Sequence, residues 1–187
     1  MTEVSQRKGS EESVSARRST RIRNSTKPAF NTPAPAFYRC DHCHRLVIAV
    51  QPTSPLSCAS FSCCGAPMTA LALQDADSPL AALHQPHMKV SGGFDANVLS
   101  VTVGEPLHPM AVEHHLEWIY LYTFQGGQLK FLKPGGKPGA TFSLADDDAY
   151  VYCDRPVCKG SRCKFNCKRG FSAFCYCSQH GLWQCAF

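Results

Sequence analysis

The 187-residue sequence has no apolar run approaching the ~18 residues a membrane-spanning helix needs, and its first residues lack the apolar core of a secretory signal. A soluble, cytoplasmic protein without membrane partners is expected, with nuclear or organellar targeting by the basic N-terminal tail left open. Glu3, Glu11 and Glu12 argue against a mitochondrial transit peptide, which is poor in acids. A sustained helical period with caps is also missing, so an all-helical architecture is excluded. Cysteine is absent from the whole stretch between Cys64 and Cys153, although the chain carries 12. A secreted disulfide scaffold would spread its cysteines more evenly. Bunching at 40–64 and 153–185, beside 8 His, favours metal over disulfides.

Charge is distributed unevenly around a net +5. Residues 1–37 hold 7 basic and 3 acidic side chains, 38–152 hold 6 and 10, and 153–175 hold 6 and 1. The body is therefore acidic and the two ends of the positive charge lie outside it. Residues 1–36 are rich in Ser, Thr, Arg and Pro and too poor in apolar groups to offset the entropy of ordering, which predicts a disordered basic tail. Its segment Arg17–Arg23 reads as a solvated arm or an address.

From Phe37 to about Ala70 the chain is short, turn-rich and Cys-rich, too small to fold on a hydrophobic core without a staple. Beyond Leu71 come short β-type runs at 97–103, 116–124, 129–132, 140–144 and 149–153, with Gly126-Gly127 and Pro134-Gly135-Gly136 as hairpin turns. The pattern predicts a mainly β protein, an antiparallel sandwich or barrel behind a small metal domain.

Cys40-Asp41-His42-Cys43 is followed by Cys63-Cys64-Gly65. Two Cys three apart in a tight turn can aim both sulfurs at one tetrahedral ion, and a second pair completes a four-sulfur set that suits zinc and iron alike. Adjacent Cys ligands require a sharp backbone bend, for which Gly65 supplies the freedom. His42 and His44 are expected at the surface, because four thiolates already satisfy the ion.

A second constellation starts with His108-Pro109-Met110 and Glu113-His114-His115. An extended strand would separate His108 from His114 by about 20 Å, and a helix would put them on different faces. Only a curled loop lets both reach one ion, and the turn-forming Gly104-Glu105-Pro106 makes such a loop plausible. Cys177-Ser178-Gln179-His180-Gly181 places a Cys and a His three apart in a turn where they can chelate together, and His84-Gln85-Pro86 adds a further candidate.

Taken in order and spacing, Cys40-x-x-Cys43, Cys63-Cys64-Gly65-Ala66-Pro67-Met68, His84-x-Pro86, His108-Pro109-Met110, Glu113-His114, Glu117-Trp118-Ile119, Leu132-Lys133-Pro134-Gly135 and Cys177-x-x-His180-Gly181-x-Trp183 resemble the desulfoferrodoxins. The likeness runs over about residues 38–187, apart from a basic, Cys-rich insertion at 153–175. It implies a rubredoxin/desulforedoxin-like domain at 37–70 and an immunoglobulin-like antiparallel β-sandwich at 71–187. It further implies two iron ions. Cys40, Cys43, Cys63 and Cys64 would hold the first; His84, His108, His114 and His180 would be equatorial and Cys177 axial at the second. The implied activity is superoxide reduction to hydrogen peroxide, with an electron donor such as rubredoxin or a reductase, and a homodimer; nucleic acid is not expected as a partner.

Two features depart from that family. The Glu-Lys pair that commonly precedes the first His is replaced by Ala82 and Leu83, so no catalytic residue is assigned beside the metal ligands; His87 or a cation from the insertion are the candidates to substitute. His115 stands where an aromatic residue is usual and is not taken as a ligand. Within the insertion, the spacing Cys158-x4-Cys163-x3-Cys167 resembles a further metal knuckle. The competing readings are a non-catalytic metal-binding module, and a redox sensor or electron-transfer protein using the same Cys and His sites.

Overall fold

The computed structural model describes residues 34–50, 60–91, 97–123, 125–149 and 171–186. Residues 1–33 of the basic tail, Cys58, Cys153 and the candidate knuckle of Cys158, Cys163 and Cys167 lie outside the described residues, while Ala36, expected in the disordered tail, begins the first strand. The fold is mostly antiparallel β, as expected. Strand β1 (Ala36–Arg39) pairs with β2 (Leu46–Ala49) and with β5 (Thr69–Ala70), while β3 (Ser62–Cys63) and β4 (Ala66–Pro67) form a minimal hairpin. After a single helical turn, α1 (Ala81–His84), come β6 (Pro86–Ser91), β7 (Asn97–Val103), β8 (Leu116–Tyr122), β9 (Gly127–Phe131), β10 (Gly139–Leu144), β11 (Ser172–Cys177) and β12 (Gly181–Ala186).

These later strands make two sheets, β10-β7-β6 and β12-β11-β8-β9, packed face to face. Period-2 alternation explains why. In β7, Leu99, Val101 and Val103 are fully buried while Ser100 and Thr102 point away; Phe142 and Leu144 of β10 join them. From the opposing sheet come Leu116, Ile119 and Leu121 of β8, Ala173, Cys175 and Cys177 of β11, and Trp183 of β12.

Strand β8, Leu-Glu-Trp-Ile-Tyr-Leu-Tyr, is buried on both faces. Its Trp118, Tyr120 and Tyr122 form a second, outward cluster with Phe174, Tyr176, Leu182 and Phe37 of β1. The Phe37 ring stacks on Trp118 at 5.3 Å and meets Phe174 at 5.0 Å and Tyr120 edge-on at 5.6 Å. The N-terminal module is thus stapled across the outer face of the four-stranded sheet. Arg39 secures its rim, donating to both Glu117 carboxylate oxygens (2.8 and 3.1 Å) and to the Tyr176 hydroxyl at 3.2 Å. Glu117 is free to do this because the ladder slips there: Tyr176 pairs with Trp118 but Cys177 with Leu116. The bulge turns Glu117 outward while both Leu116 and Ile119 face the core.

Several local expectations change. The run 97–103 is β7 as expected, but residues 146–149 form a 3-10 turn, and 150–153 are outside the described residues. Gly126 closes the β8–β9 hairpin, where Thr123 N–H donates to its carbonyl at 2.7 Å. The Pro134-Gly135-Gly136 turn instead carries the chain from one sheet to the other, since β10 pairs with β7 and not with β9. Residues 172–175, expected within the insertion, belong to β11.

Phe37 is 2% exposed and packs on three aromatic rings, so Phe37→Ala is expected to cost about 3–5 kcal/mol, the range for deleting a buried aromatic. Denaturant unfolding of the full chain checks this. A loss below about 1 kcal/mol, ordinary for a surface change, would mean that the module does not depend on this contact.

Candidate metal centres

The first cluster is built by two tight turns. After β1 the chain reverses at Cys40–His44, closed by His44 N–H to the Cys40 carbonyl at 2.9 Å and Cys40 N–H to the Arg45 carbonyl at 3.0 Å. Between β3 and β4 it reverses again through Cys64 (φ 52°) and Gly65 (φ 78°), the bend that adjacent Cys residues need. The four sulfurs of Cys40, Cys43, Cys63 and Cys64 consequently lie within 4.8 Å of one another. Cys43 Sγ is 3.5 Å from Cys63 Sγ, which is 3.9 Å from Cys64 Sγ. Crowding splits the thiols. A backbone hydrogen bond from Arg45 holds Cys43 down at about 7, and one from Cys43 lowers Cys40; the thiol contact from Cys43 raises Cys63 and pushes Cys64 up to about 12. Thiols so close cannot all ionise without a cation among them. His42 and His44 are exposed, as expected.

The second cluster sits at one end of the sandwich, on three connections. The turn α1 supplies His84. The β7–β8 loop supplies His108 and His114, and it does curl. A cis Glu105–Pro106 bond follows Gly104 (φ 83°), where a Cβ would lie 2.3 Å from the Leu83 carbonyl oxygen, and His108 N–H then donates back to the Val103 carbonyl at 2.9 Å. The β11–β12 turn supplies Cys177 and His180 and is stitched to that loop: Ser178 N–H donates to the His115 carbonyl, His115 N–H to Ser178 Oγ, and the Gln179 amide to the Glu113 carbonyl.

One ligand atom from each of His84, His108, His114 and Cys177 falls within 4.8 Å of the others. His180 lies outside that group, although its Nδ1 is 3.5 Å from Cys177 Sγ. The four imidazoles form a ring in the order 84, 108, 114, 180. Neighbouring centroids are 4.6 to 4.9 Å apart and their planes are inclined by 68° to 75°. His84 and His114, across the ring, are 5.8 Å apart and tilted by only 30°.

Hydrogen bonds at the far side of two rings fix which nitrogen faces inward. His84 Nδ1–H donates to the Leu80 carbonyl at 2.7 Å, and His108 Nδ1–H to the Pro109 carbonyl at 2.5 Å. Each bond commits the proton to Nδ1 and leaves Nε2 with its lone pair, the arrangement seen around metal-bound histidines. Nε2 of His84, His108 and His114 is buried without a hydrogen-bond partner among the described residues. Burial keeps these rings neutral: it is the main cause holding His84 and His114 below the usual imidazole range and His108 down at about 4. His115 Nδ1 is also buried and unpartnered, but His115 is not in the converging group.

Three buried Nε2 lone pairs without a donor, beside a thiol sulfur and the Nδ1 of His180 that lie 3.5 Å apart, fit a transition-metal ion and fit iron chemically. Burial raises the Cys177 thiol, so a bound cation would have to displace its proton. Ala82 is exposed and Leu83 half-buried, so neither charge nor proton donor precedes His84. The sequence missed the backbone carbonyls that orient the rings, which no residue type announces. It also missed the stack of Trp183 on His84 at 5.0 Å and 17°, although Trp183 lies in the quoted motif.

Fold and clusters together define a mainly β protein with a group of four cysteines and a group of imidazoles about a buried thiol. The family model described as desulfoferrodoxin matches residues 77–186, and the chain belongs to the desulfoferrodoxin family. A desulfoferrodoxin of Nitratidesulfovibrio vulgaris is 34% identical over 120 residues, 63% of this chain and 88% of the relative. A desulfoferrodoxin homolog of Archaeoglobus fulgidus is 29% identical over 147 residues, covering 79% and 93%. The superoxide reductase of Treponema pallidum, 24% identical, superposes with a TM-score of 0.59 over 81% of this chain and 97% of that one, which shows the shared fold.

The depressed imidazoles set a pH window for the metal-free protein. Unfolded, these rings titrate near 6.5; folded, His108 titrates at about 4 and His84 and His114 below 6.5. Between those values the unfolded chain takes up protons that the folded chain refuses, so stability is fully present above pH 6.5 and falls as the pH drops toward 4. Denaturation midpoints of metal-free protein across this range should decline toward acid; a flat profile would show that the rings are not held neutral.

Proposed function

We propose that the protein is a superoxide reductase, with its first iron at Cys40, Cys43, Cys63 and Cys64 and its second at His84, His108, His114, His180 and Cys177. The observation that carries this reading is the ring of four imidazoles beside a buried thiol, with Nε2 of His84, His108 and His114 buried and without a donor among the described residues. In the balanced reaction superoxide takes one electron and two protons to become hydrogen peroxide. Bound iron would supply that electron by passing from ferrous to ferric, and an external donor, such as rubredoxin or a reductase, would restore it. A metal ion held there would have Cys177 as its one anionic protein ligand, and that thiolate would donate electron density to it. The carbonyls of Leu80 and Pro109 keep two of the rings oriented by holding Nδ1–H. With Ala82 and Leu83 before His84, the protons come from water rather than from a side chain at those positions.

The domain boundaries proposed with this function are 37–70 for the four-sulfur module and 71–187 for the catalytic sandwich. A homodimer is proposed as the assembly. Among the described residues no helix is long and apolar enough to cross a membrane. The four-sulfur site has Cys43 and Cys64 exposed, which suits an electron-relay role, while at the imidazole site His84, His108 and Cys177 are buried and His114 and His180 half-buried.

Anaerobically purified protein is expected to contain two irons per chain. Stoichiometric zinc at both sites despite available iron would overturn the reading. Cys177→Ser exchanges the thiolate for a neutral, weakly donating hydroxyl. It should abolish the thiolate-to-iron charge-transfer absorption and severely reduce peroxide formation from superoxide, followed by pulse radiolysis; near-normal turnover by an iron-loaded variant would refute the axial role.

Because the two ligand sets share no residue, Cys43→Ser should remove the first iron alone. Metal analysis and superoxide decay check this, and simultaneous loss of the second iron would show that the sites are not independent.

A further inference from the structure

Cys175 is fully buried, two residues before Cys177 on β11, and so on the same face of the sheet. Its sulfur lies 3.3 Å from the backbone carbonyl oxygen of His84. That carbonyl belongs to the end of a single-turn helix, where the last C=O groups have no partner within the helix and must find one elsewhere. Three other carbonyls of this turn have donors of their own. Leu80 accepts from His84 Nδ1–H, Ala81 from Gln85 N–H at 2.8 Å, and Ala82 from Glu105 N–H at 2.7 Å. For His84 the donor is the Cys175 thiol. The β11 residue opposite Trp183 in the ladder is Cys175 itself, and Trp183 stacks on the His84 ring.

We infer that Cys175 is a positioning residue of the imidazole–thiolate centre, its S–H tying the His84 backbone to the strand that carries Cys177. Strand β11 then sets two things at once: Cys177 offers the thiolate, and Cys175 fixes how far the first imidazole stands from it. His84 is thereby held at three points, by its ring nitrogen, its ring face and its backbone carbonyl. Removing the thiol leaves that carbonyl buried without a donor, and the turn can meet the deficit only by shifting, which moves the ring. The inference rests on the metal centre proposed above.

The test is a cobalt(II) titration of the metal-free full-length chain in competition with a chelator. Cobalt is chosen because it colours differently at a four-thiolate site and at a mixed imidazole–thiolate site. Cys175→Ala should weaken cobalt binding at the imidazole–thiolate site roughly 10–100-fold, the usual effect of losing a group that orients a ligand, and shift the bands of that site. The four-thiolate site should bind as before. Cys175→Ser, which keeps an O–H donor, should restore both affinity and spectrum. Wild-type affinity and spectrum in Cys175→Ala would overturn the inference, as would equal weakening in both variants, which would make the residue one of packing only. If Cys175→Ala does not fold, the serine variant decides: a wild-type spectrum upholds the hydrogen bond and an altered one refutes it. Failure of the wild-type chain to bind cobalt at the imidazole–thiolate site would remove the metal-centre reading itself.

Discussion

The structure depends on the burial of unprotonated imidazole nitrogens around a common point. A buried acceptor without a donor is costly, and three such Nε2 atoms in one pocket would ordinarily destabilise a domain of this size. For two of them the chain spends backbone carbonyls on the opposite ring nitrogens, so the His84 and His108 rings are locked in the tautomer that faces the lone pair inward. Curling of the β7–β8 loop and the stitches between Glu113–His115 and Ser178–Gln179 serve this convergence.

Much of this was readable from the residues. Alternation at 97–103 gives β7 at its true limits, because its one buried face repeats strictly every second residue. His108 and His114 meet across a curled loop, as they must, since strand and helix geometry both forbid it. Cys40, Cys43, Cys63 and Cys64 do come together, as short chelate spacings lead one to expect. Less legible was whatever depends on tertiary pairing. The single turn at Ala81–His84 is too short to leave a period, and β11 was hidden because its first residues follow directly on the basic insertion. The Pro134-Gly135-Gly136 turn looks like a hairpin in sequence, but which sheet receives the next strand is decided by the register of β10 on β7.

Strand β8 shows why pattern alone underdetermines such a protein. A half-buried strand alternates apolar and polar; β8 is nearly all apolar or aromatic because both its faces are covered, one by the opposing sheet and one by the N-terminal module. The single charged residue in it, Glu117, sits at the bulge, where the extra residue leaves the ladder and can meet Arg39.

That two-sided burial also ties the two modules together physically. Tyr176 and Cys177 are consecutive, so they project to opposite faces of β11: Tyr176 into the aromatic layer under Phe37, stacked on Trp118 at 5.6 Å, and Cys177 into the imidazole ring. Arg39, one residue before Cys40, lies over the Tyr176 ring at 5.0 Å and bonds its hydroxyl. A rigid sheet passes a displacement of one face to the other, because neighbouring residues share a backbone that the ladder holds on both sides. The placement of the Cys177 sulfur is therefore set partly by how firmly the N-terminal strands seat on the outer face, even though the two clusters have no residue in common.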